Sequence, residues 1–208
     1  MNMELKYKSW NDINISTYNK LKSIKLESGD NINLINYNIQ LLSILTDISE
    51  EDIENLGLDK FNALVKATDF LREEIKTVKT KLIYNINGKE YYFQTNPRLL
   101  TTGQFIDFQT YIKNDSSIEH ILSCCLIPYN KKYGDYDVEE VIKDIAEHLS
   151  IVDALSIQFF FVQLYEKLKI AFQTSLINQM KKLEKKNKSK EIQMMLETAT
   201  NLLQNGIG

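Results

Sequence analysis

The sequence predicts a mainly α (α+β) protein: helices packed around one β-hairpin, with a long C-terminal helix. Three observations carry this. Asn87-Gly88 stands between two runs of alternating apolar residues, several segments repeat apolar residues at helical spacing behind capping residues, and one apolar stripe continues far beyond Ser150.

The hairpin spans Lys81 to Gln94. Leu82, Tyr84 and Ile86 alternate with polar residues, and Tyr91 and Phe93 alternate on the way out. Asn-Gly supplies the two positive φ values of a type I′ turn. Pro97 cannot donate to a ladder and bounds the second strand. Thr101 or Thr102 then caps a helix whose face carries Phe105, Ile106, Phe108, Tyr111 and Ile112. A hairpin and one helix cannot bury both their apolar faces, so other helices must dock on them.

Before the hairpin, an extended lead containing Trp10 precedes a short helix capped by Ser16 or Thr17 and running through Tyr18, Leu21 and Ile24. Trp10 reads as packing, because no binding residues accompany the indole. A turn at Gly29-Asp30 leads into a second helix with Ile32, Ile35, Ile39, Leu42 and Leu45 on one face. Ser49 and the acidic residues after it start another helix, which Gly57 stops. From Asp59, the residues Phe61, Leu64, Val65 and Leu71 predict a longer helix ending near Lys76.

After the hairpin, Ile118, Ile121, Leu122, Cys125 and Leu126 predict a short helix stopped by Pro128. A Tyr-rich connector follows, and Asp137 caps a helix with Val138, Val141, Ile142, Ile145 and Leu149 inward and an acidic outer face. Ser150 starts the longest helix, over residues 151–186, with Phe161, Leu164, Leu168, Phe172, Leu176, Met180 and Leu183 in one stripe. It would measure about 54 Å, against a radius of gyration of about 17 Å for a chain of this length. Its end therefore projects, folds back or meets a partner. The expected organisation is one helical domain over residues 1–150, with residues 151–208 packed on the same core at their start.

A net charge of -3 gives no general attraction to nucleic acid or anionic membrane. No run of apolar residues is long enough for a membrane span, and MNMELKYKSW lacks the apolar core of a signal peptide. Adjacent Cys124 and Cys125 cannot staple a fold. The expected location is inside the producing cell or in a particle assembled there.

No catalytic motif is present, and no cofactor or metal is expected. His120 and Cys124 share a helical spacing that can bind zinc, but only His148 and Cys125 remain to complete four ligands. The same residues are the only material for a Cys-His nucleophile. Asp135, Asp137, Glu139, Glu140 and Asp144 lack the spacing and central glycine of a calcium loop and read as a helix cap and a solvated face. Gly88 and Gly103 belong to no phosphate-binding pattern. The Lys-rich run from Lys181 to Lys190 lacks Arg and aromatics and reads as a solvated helix face or turn.

Ser-Trp-Asn-Asp-Ile at Ser9 to Ile13, the segment Leu41 to Ile53, the hairpin Ile86 to Tyr91 and LTTGQFIDFQTY at Leu100 to Tyr111 together resemble small proteins of tailed bacteriophages. In particular they resemble tail assembly chaperones and virion-morphogenesis proteins of phages infecting Bacteroidetes, over most of residues 8–165. The resemblance implies a non-enzymatic helical protein that binds the tape-measure protein in the host cytoplasm until tail-tube subunits displace it. A head-to-tail connector or tail ring component, contacting portal or tail proteins or its own copies and retained in the virion, is the alternative. A small enzyme or regulator is a third class, against which the want of a convergent polar site argues. The partner-contact candidates are Phe105, Phe108, Phe161, Leu168, Phe172, Leu176, Met180 and Leu183.

Overall fold

In the computed structural model, the described residues are 4–25, 31–96 and 99–163, together with 177, 178 and 181. The protein is mainly α with a small antiparallel sheet. The chain divides into two compact units, Met1–Phe159 and Phe160–Gly208.

In the first unit, α1 (Ile15–Ser23) begins at Asn14, whose side chain accepts from the Thr17 amide at 2.7 Å. The cap is therefore Asn14, not Ser16 or Thr17: Ile13 and Ile15 are both buried, and the helix starts about two or three residues earlier than the Ser-Thr pair suggests. Asn14 also donates to the Glu147 carbonyl, while Ile151 N–H donates to the Ile13 carbonyl at 2.7 Å. One capping residue thus ties the chain start to a corner more than a hundred residues away. Trp10 packs edge-on against Tyr18 and Phe70 and donates its indole N–H to the Glu73 carbonyl at 2.9 Å.

Helix α2 (Asn31–Thr46) buries Ile39, Leu41, Leu42 and Leu45, but Ile32, Leu34 and Ile35 in its first turns are exposed. It packs against α3 (Glu50–Glu54) and α4 (Leu58–Ala67), and the expected stripe is core only from Ile39 onward. Ser49 caps α3 through the Asp52 amide. Gly57 does not stop that helix; at φ -62 it is the N-cap of α4. The helix expected to reach Lys76 ends at Ala67, where the Thr68 hydroxyl donates back to the Val65 carbonyl and a 3-10 turn, Asp69–Arg72, follows. Side-chain competition for a helical carbonyl is how Thr loosens a helix.

The hairpin forms as expected. Strands β1 (Ile83–Ile86) and β2 (Lys89–Phe93) pair with Ile86 opposite Lys89, and Asn87 and Gly88 take φ 53 and 71. Tyr84, Ile86, Tyr91 and Phe93 face the core. Leu82 does not: it precedes β1 in a bend and is 59% exposed. A third strand, β3 (Leu126–Pro128), pairs antiparallel with β2, making the order β1-β2-β3. The sequence reading placed Cys125 and Leu126 in a helix; α6 (Ile118–Ser123) instead ends before them. Leu122 to Ile127 are all buried, so the run has no alternation to distinguish strand from helix. Pro128 is tolerated because β3 is an edge strand.

Helix α5 (Thr102–Lys113) has a reciprocal cap: Gln104 N–H donates to Thr101 Oγ1, and Thr101 N–H to Gln104 Oε1. Helix α7 (Val138–His148) is capped by Asp137 and buries Val141, Ile142, Ile145 and, unexpectedly, Asp144. Residues 151–163 are helical, and the Ser150 hydroxyl accepts from the Asp153 amide as expected. The remainder of the expected helix over 151–186 lies outside the described residues apart from 177, 178 and 181, which are helical. Among the described residues, no helix is long and apolar enough to cross a membrane.

Candidate functional site

Two interior polar arrangements and one outward apolar face are the features with chemical content. The first grows from the hairpin turn. Its geometry aims Asn87, Lys89 and Tyr91 at one carboxylate on α7: Asp144 Oδ1 accepts from Asn87 Nδ2, and Oδ2 accepts from Lys89 Nζ and Tyr91 OH, each at 2.8 Å. Glu140, one turn earlier, takes a second hydrogen bond from Lys89 Nζ at 2.7 Å. Asp144 is only 5% exposed. Burial pushes its pKa up, but hydrogen bonds from Lys89, Asn87 and Tyr91 outweigh it, and the carboxyl is held below its ordinary range. Tyr91 moves the other way, well above the usual phenol, through burial and then its bond to Asp144. Three donors, one of them an ammonium, hold this carboxylate in place between the hairpin and the helix. The arrangement acts as a lock between the two elements.

The expectation for Asp144 was a solvated acidic face, and this is corrected: Glu139, Glu140 and Glu147 are exposed, and Asp144 is not. The sequence signal was an acid at i+4 from Glu140 on a helix whose inward neighbours are apolar. Its partners lie more than fifty positions away and could not be paired with it by spacing.

The second arrangement joins α5, α6 and the Tyr-rich connector. Gln104, buried, donates its amide to the Cys124 carbonyl at 3.0 Å, so the α5 cap also holds the entry to β3. Tyr133 OH donates to Asp107 Oδ2 at 2.7 Å and lies near the Cys124 thiol. Burial pushes that thiol up to about 12 and pushes Cys125 well above its ordinary value. His120 does not meet Cys124 through its ring: Nδ1 shares a hydrogen with Ser117 Oγ, while the Cys124 thiol donates to the His120 carbonyl at 3.7 Å. A buried, neutral thiol without an imidazole partner is not an activated nucleophile. Among the described residues, no group of three or more His, Cys, Asp or Glu is arranged to hold a metal ion.

The expected contact residues are distributed between inside and outside. On α5, Gln104, Phe108 and Tyr111 share the inward face at i, i+4 and i+7, and Phe108 is 2% exposed. Phe105 is 43% exposed on the neighbouring face, with Ile106 and Ile112 also exposed. Phe108 is therefore a core residue and Phe105 a surface one, although the sequence placed both on one stripe. Phe161 is buried. Leu168, Phe172, Leu176, Met180 and Leu183 lie outside the described residues. Compared with protein-family models, with curated proteins and with solved structures, the chain matches none of them.

Proposed function

We propose that this chain is a non-enzymatic binding protein of bacteriophage tail or virion assembly, acting as a tail assembly chaperone. The observation that carries the reading is the division of α5, in which Phe108 and Gln104 anchor the helix while Phe105, Ile106 and Ile112 are presented outward. A run of large apolar side chains on a well-capped helix is suited to an apolar helical partner. The resemblance of the segments Ser9 to Ile13, Leu41 to Ile53, Ile86 to Tyr91 and Leu100 to Tyr111 to phage tail assembly chaperones supports a long helical tape-measure protein as the partner class. The polar interior, locked by Asp144 and by Tyr133 with Asp107, fits a rigid scaffold better than a reaction centre. The test is co-purification with the tape-measure protein from infected cells, compared with the composition of finished particles. Binding to the former and absence from the latter are expected. Stoichiometric presence in purified virions overturns the chaperone role in favour of a structural component.

A further inference from the structure

Among the described residues, the outer edge of β1 has no strand paired to it. The two-residue turn fixes the ladder so that Tyr84 and Ile86 exchange hydrogen bonds with β2, as does Leu82, whose carbonyl accepts from Phe93 N–H at 2.8 Å. By alternation, the backbone N–H and C=O groups of Ile83 and Asn85 point away from β2, and among the described residues no strand pairs with that side. Long exposed edges are usually blunted by proline, a bulge or an inward charge. Here there is no proline in β1, Leu82 and Ile83 are 59% and 44% exposed, and the nearest charge before β1 along the chain, Lys81, turns toward Asp153 at 3.4 Å.

We infer that this edge pairs with the β1 edge of a second copy of the chain, antiparallel, about a two-fold axis at Tyr84. In that register Ile83 of each copy faces Asn85 of the other, so both outward pairs close with about four backbone hydrogen bonds. Leu82 comes opposite Ile86 of the second copy. Charge selects the antiparallel self-pairing. A parallel one would set Lys81 beside Lys81, whereas the antiparallel one separates the two by about 20 Å, beyond the ~10 Å screening length. It also carries each Lys81 to the other copy's turn at Asn87, whose side chain is bonded to Asp144. There two carboxylates, Glu140 and Asp144, face the single ammonium of Lys89. The arriving Lys81 neutralises the remaining negative charge. Its own pair with Asp153 is an exposed one, and such pairs hold a side chain weakly.

This pairing goes beyond the proposed function and does not require it, because it uses β1 and not α5. The test on the full chain is mass by light scattering across concentration, with amide exchange at Ile83 and Asn85. A dimer is expected, with those two amides slowed about tenfold or more on going from dilute to concentrated protein. Ile83→Pro removes an outward N–H without removing a hydrogen bond of the β1–β2 ladder, and is expected to be monomeric with unchanged helical circular dichroism. Should that variant misfold, Lys81→Glu is read in its place, and about tenfold weaker association is expected. A monomer at every concentration, a dimer whose Ile83 and Asn85 amides exchange as in dilute protein, protection that appears only with an added tape-measure segment, or unchanged association in Lys81→Glu overturns the inference. Partner binding by Phe105 variants is scored separately, so loss of one result leaves the other standing.

Discussion

The Tyr91 hydroxyl donates to the Asp144 carboxylate at 2.8 Å, joining β2 to α7 across 53 positions of sequence. Asn87 and Lys89 reach the same carboxylate from the turn, so a local device, the type I′ hairpin, becomes a tertiary one. Both partners are buried, and a buried phenol without an acceptor is costly. Asp144→Ala is expected to destabilise the fold by about 2–3 kcal/mol, because it orphans Tyr91 and removes a charge-assisted acceptor. Tyr91→Phe leaves Asp144 with two donors and should cost less. Chemical denaturation of both variants and their double mutant measures the coupling.

Acid should act through the same carboxylate. Its native pKa lies below that of the unfolded chain, so below about pH 4 the unfolded state binds the proton more readily. The stability it contributes is therefore complete above that range and is lost as pH falls through the depressed native value. Denaturation midpoints measured from pH 6 to pH 2 should fall less steeply in Asp144→Asn than in the parent. Parallel profiles would refute the assignment.

Gly88 has open space around the position of a Cβ, yet its φ of 71 is in the left-handed region. Gly88→Ala is expected to destabilise the hairpin by about 1–2 kcal/mol through backbone strain alone. Since the hairpin, through its turn and β2, positions Asn87, Lys89 and Tyr91 on Asp144, thermal melts should also show the Asp144 contribution weakened in this variant.

The hairpin, a threonine cap on α5 and the inward residues of α7 were legible in sequence because each is a local rule: Asn-Gly for the turn, Thr101 or Thr102 before an apolar run for the cap, apolar residues at i, i+3, i+4 and i+7 for the helix; the part of Gln104 in that cap was not read. Strand β3 was not, because burial on both sides erased its alternation. The end of α4 at Thr68 was hidden because hydroxyl competition for the Val65 carbonyl leaves no proline or glycine as a mark. Ile32 and Ile35 could not be told from core by periodicity, which marks a helix face but not how far along the helix other elements cover it. The lock was hidden for a different reason: Asp144 looked like one more solvated acid until the turn brought its donors to it.

Cys124 and Cys125 should be chemically quiet. With the Cys124 thiol up to about 12, its thiolate fraction at pH 8 is roughly a thousandfold below that of an ordinary cysteine, before any effect of access. Iodoacetamide labelling of the native protein at pH 8 is expected to follow the rate of unfolding, and labelling in denaturant to be prompt. Fast native labelling would place the α6 to β3 junction at the surface instead.

Phe105 and Phe108 separate binding from folding on a single helix. Phe108→Ala opens a cavity beneath α5 and is expected to cost about 3–5 kcal/mol, lowering the denaturation midpoint whether or not a partner is present. Phe105 lies on the outward face, where truncation changes stability little, so Phe105→Ser should stay within about 0.5–1 kcal/mol of the parent. If α5 presents the contact surface, the same substitution should weaken capture of a tape-measure segment about tenfold or more. Ile106→Ser, one residue along on the exposed face, should weaken it further in combination. A Phe105→Ser, Ile106→Ser protein that folds normally and still captures the segment with parental affinity would remove α5 from the interface.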